Sequence, residues 1–212
     1  LGVTITGTNF VNGAGVEINN NGANAIAGTG VTVVSATQIT ATVNLTGVTT
    51  NLGGTWDVKV TNPDAQTGTG ADIFTIYRPN PTVTAITPST GVNTATVNIT
   101  DLAGTNFVSG VTFVKLTKAG QSDINGTSIN VVSATQITCS FNLTGVATGA
   151  WSVVVTVTGA ESTGTLTDGF TVTAPPPPTV TAITPNKGTT VDSALGVTIT
   201  GTNFVNGAGV EI

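Results

Sequence analysis

The chain has 212 residues, five basic and ten acidic side chains, a formal charge of −5 and no histidine. Without His, Ser/His/Asp and Cys/His nucleophile pairs, His-containing zinc sites and facial triads are out of reach, and the acidic balance repels phosphate, so nucleic acid is not an expected partner. Only 7% of residues are charged, against roughly 25% in an average soluble domain, which predicts a surface covered by neighbouring subunits, by sugar or by both.

In chain order, the first element is LGVTITGTNFVNGAGVEI at 1–18, a strand-turn-strand stretch that returns without a substitution as 195–212. Self-similarity at a fixed period marks a repeat architecture, so the chain reads as a window from a longer tandem array that begins in mid-domain. It has no initiator Met, no signal peptide and no apolar run long enough to span a bilayer, so no membrane contact is expected within the window. Next, VVSATQIT (33–40) leads into Ile39-Thr-Ala41-Thr-Val43-Asn-Leu45, which alternates apolar and polar residues as a half-buried strand does. NLTGV follows at 44–48, then Trp56-Asp-Val58-Lys-Val60, another alternating strand. Prolines at Pro79 and Pro81 interrupt the pattern, and PTVTAITP (81–88) opens a new module.

The same elements then come round again. GTNFV, at 7–11, recurs at 104–108 and 201–205; VVSATQIT recurs at 131–138, NLTGV at 142–146, and a Trp follows at Trp151. Ile137-Thr-Cys139-Ser-Phe141-Asn-Leu143 and Trp151-Ser-Val153-Val-Val155-Thr-Val157 alternate as their counterparts do. Pro175, Pro176, Pro177 and Pro178 favour a semi-rigid polyproline II spacer, after which PTVTAITP returns at 178–185. Strong helix formers other than Ala are scarce and no stretch has a helical apolar period, so helices are not expected. The predicted fold class is all-β: tandem antiparallel β-sandwiches joined by short Pro-rich linkers. Residues 1–77 form a module lacking its opening strand, 78–81 a linker, 82–173 a complete module, 174–178 a second linker, and 179–212 the start of the next copy. The missing strand is expected from the array immediately upstream, which is favoured over donation by a neighbouring chain.

With those residues on the page, a resemblance can be stated. The Pro-x-Val-x-x-Ile-x-Pro opening, Val-x-Ile-Thr, Gly-Thr-Asn-Phe, Val-Val-Ser-x-Thr-x-Ile and a closing Phe-Thr-Ile/Val (74–76, 170–172) together resemble the IPT/TIG family of immunoglobulin-like domains over nearly the whole chain. The resemblance implies an early-set immunoglobulin-like sandwich, a module of bacterial and archaeal surface proteins, of some receptors and transcription factors, and of starch-acting enzymes beside their catalytic domains. The second module departs from the pattern by inserting Asp101-Leu102-Ala103 ahead of its Gly-Thr-Asn-Phe and by a longer hairpin region at 115–125.

Sites for chemistry are few. The acids are scattered singly (Glu17, Asp57, Asp64, Asp72, Asp101, Asp123, Glu161, Asp168, Asp192 and, as the repeat of Glu17, Glu211) in neither an EF-hand spacing nor a close pair. The Gly-rich stretches at 28–30 and 68–70 lack the Lys-Ser/Thr of a phosphate loop. No catalytic residue, cofactor or metal site is therefore assigned, and no enzymatic activity is expected. Cys139 reads as a small core residue at the position of Ala41, and Trp56 and Trp151 as core rather than sugar platforms. Four Asn-x-Thr sequons, at Asn44, Asn98, Asn125 and Asn142, are candidate glycosylation sites, with Asn44 and Asn142 on the outward side of equivalent strands. The expectation is a structural segment of an extracellular filament, sheath or stalk on a prokaryotic cell surface. It would assemble head to tail with its own kind, and glycans are candidate partners. The alternatives are an adhesin stalk or glycan-binding surface protein and, behind it, the accessory module of a secreted polysaccharide-degrading enzyme.

Overall fold

The computed structural model describes residues 1–192 and 194–211. These form seventeen strands and no helix, as the Thr- and Val-rich alternation requires. The first six are β1 (Gly2–Thr6), β2 (Gly15–Asn20), β3 (Ala23–Ser35), β4 (Gln38–Val43), β5 (Thr55–Thr61) and β6 (Thr67–Thr75). They hydrogen-bond in the order β1-β4-β3-β2-β5-β6. The long β3 makes this one sheet serve as two layers. Its first part pairs with β2, at Glu17↔Ala27 and Ile18↔Ile26, and its second with β4, from Gly28↔Val43 to Ser35↔Gln38. At the change of partner sits Gly28, where a Cβ would come within 3.0 Å of Val16. The facing sides then meet: Ile39 and Ala41 of β4 pack with Val16 and Val60, and Val43 packs with Ile18, Trp56 and Val58.

The next nine strands are β7 (Thr82–Thr87), β8 (Thr90–Val92), β9 (Thr96–Thr105), β10 (Thr112–Thr117), β11 (Ile124–Asn125), β12 (Thr127–Ser133), β13 (Gln136–Asn142), β14 (Gly149–Val157) and β15 (Gly164–Thr173). Here the layers are separate sheets, β12-β13-β9-β7 and β11-β10-β14-β15-β8. Gly126, the counterpart of Gly28, lies between β11 and β12, and a Cβ there would lie 3.0 Å from the Val114 carbonyl oxygen. Every pairing between these strands is antiparallel except β8 with β15, and an isolated bridge of Arg78 with Ala160 is also parallel. Seventeen buried residues make one cluster between the sheets, against two clusters of five in the first unit. The difference lies partly in β7, which adds Val83 and Ile86 to the core.

Asp101, Leu102 and Ala103 are not a three-residue insertion. They lie within β9, paired with β7 on one side and, for Leu102 and Ala103, with β13 on the other. In the first unit Val3 and Ile5 face Ala41 and Ile39; in the second, Ile99 and Leu102 face Cys139 and Ile137. The departure is thus a single extra residue between Ile99 and Leu102, absorbed as a β-bulge.

The last two strands, β16 (Thr179–Thr184) and β17 (Thr198–Thr202), form a two-stranded sheet. Its register, Thr179↔Thr202, Val180↔Gly201, Ala182↔Thr200, Ile183↔Ile199 and Thr184↔Thr198, repeats that of β7 with β9 with every partner 97 positions further on. Even the hydroxyl pairs match, with Thr82 Oγ1 2.9 Å from Thr105 Oγ1 and Thr179 Oγ1 2.6 Å from Thr202 Oγ1.

The segments that join these units differ in how they are held. The Arg78 amide donates to the Gly159 carbonyl (2.7 Å) and its Nε to the Thr158 carbonyl (3.0 Å). Asn80 Oδ1 accepts the amides of Glu161 (3.1 Å) and Ser162 (3.0 Å). Pro79 therefore lies between two anchored residues. The position matching Asn80 in the second joint is Pro177, whose side chain can accept nothing. Asn80→Ala is expected to cost about 1 kcal/mol of stability, since two amides lose an acceptor at an exposed site where water replaces it in part. The midpoint of urea unfolding measures this.

Candidate functional site: the open edge of the first sheet

The first and second units differ most at one place. In the second unit β9 is covered by β7, and β8 lies against β15. Their counterparts in the first unit, β1 and β6, end their sheet, and among the described residues nothing pairs with the outer side of either. The side chains record this. Leu102, Phe107, Leu143 and Phe170 are buried, whereas the matching Ile5, Phe10, Leu45 and Phe74 are only half-buried. Between the two open strands runs a groove lined by Val3, Ile5, Ile18, Val58, Ile73 and Phe74, with Thr4 and Thr6 beside them.

The backbone at the edge is shaped for a close neighbour. Gly104 and Gly201 lie under the carbonyl groups of Thr82 and Thr179, so near that a Cβ on either would collide with the oxygen. At their counterpart, Gly7, the atoms nearest such a Cβ are those of the Phe10 ring, from 2.5 Å, and no carbonyl oxygen approaches as closely. Two residues on, Asn9, Asn106 and Asn203 share a left-handed conformation with φ of 58°, 59° and 59°. The Asn106 Nδ2 donates to the Asn80 carbonyl (2.7 Å) and the Asn203 Nδ2 to the Pro177 carbonyl (3.1 Å), in each case the backbone just ahead of the strand that covers the edge. Asn9 Nδ2 donates to nothing among the described residues, although the Asn9 carbonyl accepts from Asn62 (2.9 Å). A glycine, an amide and an apolar strip are thus all in place at β1, and among the described residues no strand pairs there as β7 does with β9. Composition could not reveal this site, because it consists of backbone edge and of positions whose meaning comes only from comparison with the copies.

The residues singled out from sequence fall elsewhere. Asn44, Asn98, Asn125 and Asn142 are all exposed. Asn44 and Asn142 sit at equivalent strand ends, each accepting the amide two residues on, from Thr46 (3.0 Å) and Thr144 (3.1 Å). The Asn98 Oδ1 accepts from Ser140 (2.8 Å). Trp56 and Trp151 are core residues whose indole N–H groups donate to the carbonyls of Asn51 (3.1 Å) and Ala147 (3.0 Å). Lys115 pairs with Asp123 at 2.8 Å, both half-open to solvent, so the pair contributes little. No group of three His, Cys, Asp or Glu side chains converges among the described residues.

Cys139 is free and buried, facing Ile99 across the ladder. Burial disfavours its thiolate and pushes the pKa up to about 12 from 9.0. The unfolded chain therefore loses this proton first, and the thiol's contribution to stability, complete below pH 9, is lost as pH rises towards 12. The expected slope is about 1.4 kcal/mol per pH unit. Unfolding free energies measured between pH 8 and 11 for the natural chain and Cys139→Ala check this, and the variant should lack that component.

No protein-family model matches this chain, and no curated protein does either.

Proposed function

We propose that this chain is a repeating structural segment of an extracellular filament, sheath or stalk on a prokaryotic cell, built from immunoglobulin-like modules of the IPT/TIG kind. The observation that carries the reading is the recurrence of one strand pairing, β7 on β9 and β16 on β17, residue for residue at a spacing of 97. A contact that recurs in translation along a chain propagates and does not close on itself, which suits a fibre. The sparse charge supports the same reading: a surface of Thr, Ser and Asn with 7% charged residues is suited to being covered by its neighbours.

Electron microscopy of the native material, imaged without dissociation, tests the proposal. An ordered fibre or sheath whose axial repeat equals two module lengths is the expected result. Single particles with a bulky end domain, or isolated flexible strings, would overturn it in favour of an adhesin stalk.

A further inference from the structure

We infer that the joint at 77–81 locks the first two units into one rigid pair and that the chain turns instead at the proline joint, 174–178, so that a tandem array bends once in every two modules. This rests on the reading above of a repeating structural segment and names the place where such a segment gives.

The first joint is tied from two directions. The Arg78 amide and Nε reach the Gly159 and Thr158 carbonyls, and Asn80 Oδ1 holds the amides of Glu161 and Ser162. All four hydrogen bonds run from the linker to the hairpin between β14 and β15, where Arg78 also bridges to Ala160. The first unit then touches that hairpin itself: a Cβ on Gly53 would lie 3.0 Å from the Gly159 Cα, and one on Gly159 would lie 2.8 Å from the Leu52 carbonyl oxygen. Both glycines have left-handed φ, 80° and 87°, so the two backbones meet where no side chain could stand. The Gly53 amide donates to the Ile76 carbonyl (2.7 Å), which fastens this loop to the stretch that enters the linker. Units of one chain move relative to each other unless contacts of this kind fasten them.

The second joint lacks the groups that make these ties. Pro175 and Pro177 stand where Arg78 and Asn80 stand in the first. Pro175 has no amide to donate and Pro177 no side-chain acceptor, so the extended segment holds its own shape but neither neighbour, and the units turn about its ends. The loop that carries Leu52 and Gly53 is shortened in the second unit: seven residues separate Val48 from Trp56, but four separate Val146 from Trp151. The hairpins are matched to their linkers. Glu161 and Ser162 depend on Asn80 for an acceptor, whereas the hairpin between β5 and β6 satisfies itself, the Ala65 amide donating to the Asn62 carbonyl (2.9 Å) and the Gln66 amide to Asp64 Oδ1 (3.1 Å). A module of the first kind, which the repeat of 1–17 at 195–211 places after the prolines, therefore asks nothing of the linker ahead of it.

The test measures distances by double electron-electron resonance between spin labels on the full 212-residue chain, in a Cys139→Ala background and at a dilution that keeps chains apart. Thr29→Cys with Thr127→Cys places labels at equivalent exposed positions of the two units, and Thr127→Cys with Thr165→Cys gives the width of a single unit. With the natural joint the two distributions should be equally narrow. Arg78→Pro/Asn80→Pro, which gives the first joint the residues of the second, should widen the inter-unit distribution about threefold and leave the inner pair unchanged. Asn80→Ala should widen it about twofold, while Asn80→Asp, whose carboxylate still accepts both amides, should not. The inner pair reports whether each variant is folded; if the double variant is not, the contrast of Asn80→Ala with Asn80→Asp decides alone. Equal inter-unit widths in the natural and substituted chains, or a natural width already about threefold that of the inner pair, would overturn the inference. Ordered fibres in the native material beside such a width would remove the locked joint alone. A locked joint in material without fibres would remove the structural-segment reading and leave the joint as a property of the chain.

Discussion

Trp151→Ala should lower the stability of the second unit by about 4 kcal/mol, the largest effect of any single side-chain truncation in the chain. The side chain is 2% exposed and belongs to the cluster of seventeen buried residues between two complete sheets. Its neighbours on β15 and β10 are fixed by their ladders, so they cannot close on the space left behind. The Ala147 carbonyl also loses its indole donor. Denaturant unfolding followed by circular dichroism gives the change. Phe at this position should recover about half of the loss, since it restores most of the volume without the N–H.

Gly104→Ala should cost about 3 kcal/mol, an unusual penalty for one methyl group. The new Cβ would collide with the carbonyl oxygen of Thr82, a backbone atom that can yield only if β7 moves off β9. At Gly7 the same substitution meets a half-buried Phe10 ring 2.5 Å away, which can swing aside, and should cost about 1 kcal/mol. Unfolding of Gly104→Ala read by Trp151 fluorescence in a Trp56→Phe background, and of Gly7→Ala read by Trp56 in a Trp151→Phe background, compares the two. Equal costs would show that the opening strand does not constrain this glycine.

Where a strand buries one face, its alternation announces it, and Ile137 to Leu143 and Trp151 to Val157 could be placed inward or outward without coordinates. The inward positions of Cys139, Trp56 and Trp151 were legible for the same reason. Pairing was not. Asp101-Leu102-Ala103 looks like inserted sequence because a linear comparison with the first unit has no term for a bulge, whereas the ladder absorbs one residue and keeps both neighbours in step. The separation of β8 from β7, and its passage to the opposite sheet, left no periodic trace in three residues, Thr90–Val92. Asn80 was legible only as part of a proline-marked boundary; its two acceptor contacts join residues some 80 positions apart. The open edge at β1 was half legible. The repeat shows that a strand covers the equivalent edges of β9 and β17, but the roles of Gly7 and Asn9 appear only when their counterparts are seen with that strand in place.

The parallel pairing of β8 with β15 sets how the second unit bears tension. A pull entering at Pro81 first meets the ladder of β7 on β9 and, once that yields, draws β8 towards its N-terminal end, while a pull leaving through Thr173 draws β15 towards its C-terminal end. Because the two strands run the same way, these forces oppose one another along a common axis. The register Thr171↔Thr90, Val172↔Gly91, Thr173↔Val92, flanked by the bonds of Thr171 to Ser89 (2.9 Å) and Asn93 to Thr173 (2.9 Å), is then loaded in shear, all of it at once. An antiparallel edge pulled from one end would instead peel bond by bond. Three residues of strand thereby become the mechanical clamp of the unit, and the force it withstands is set by those few bonds failing together.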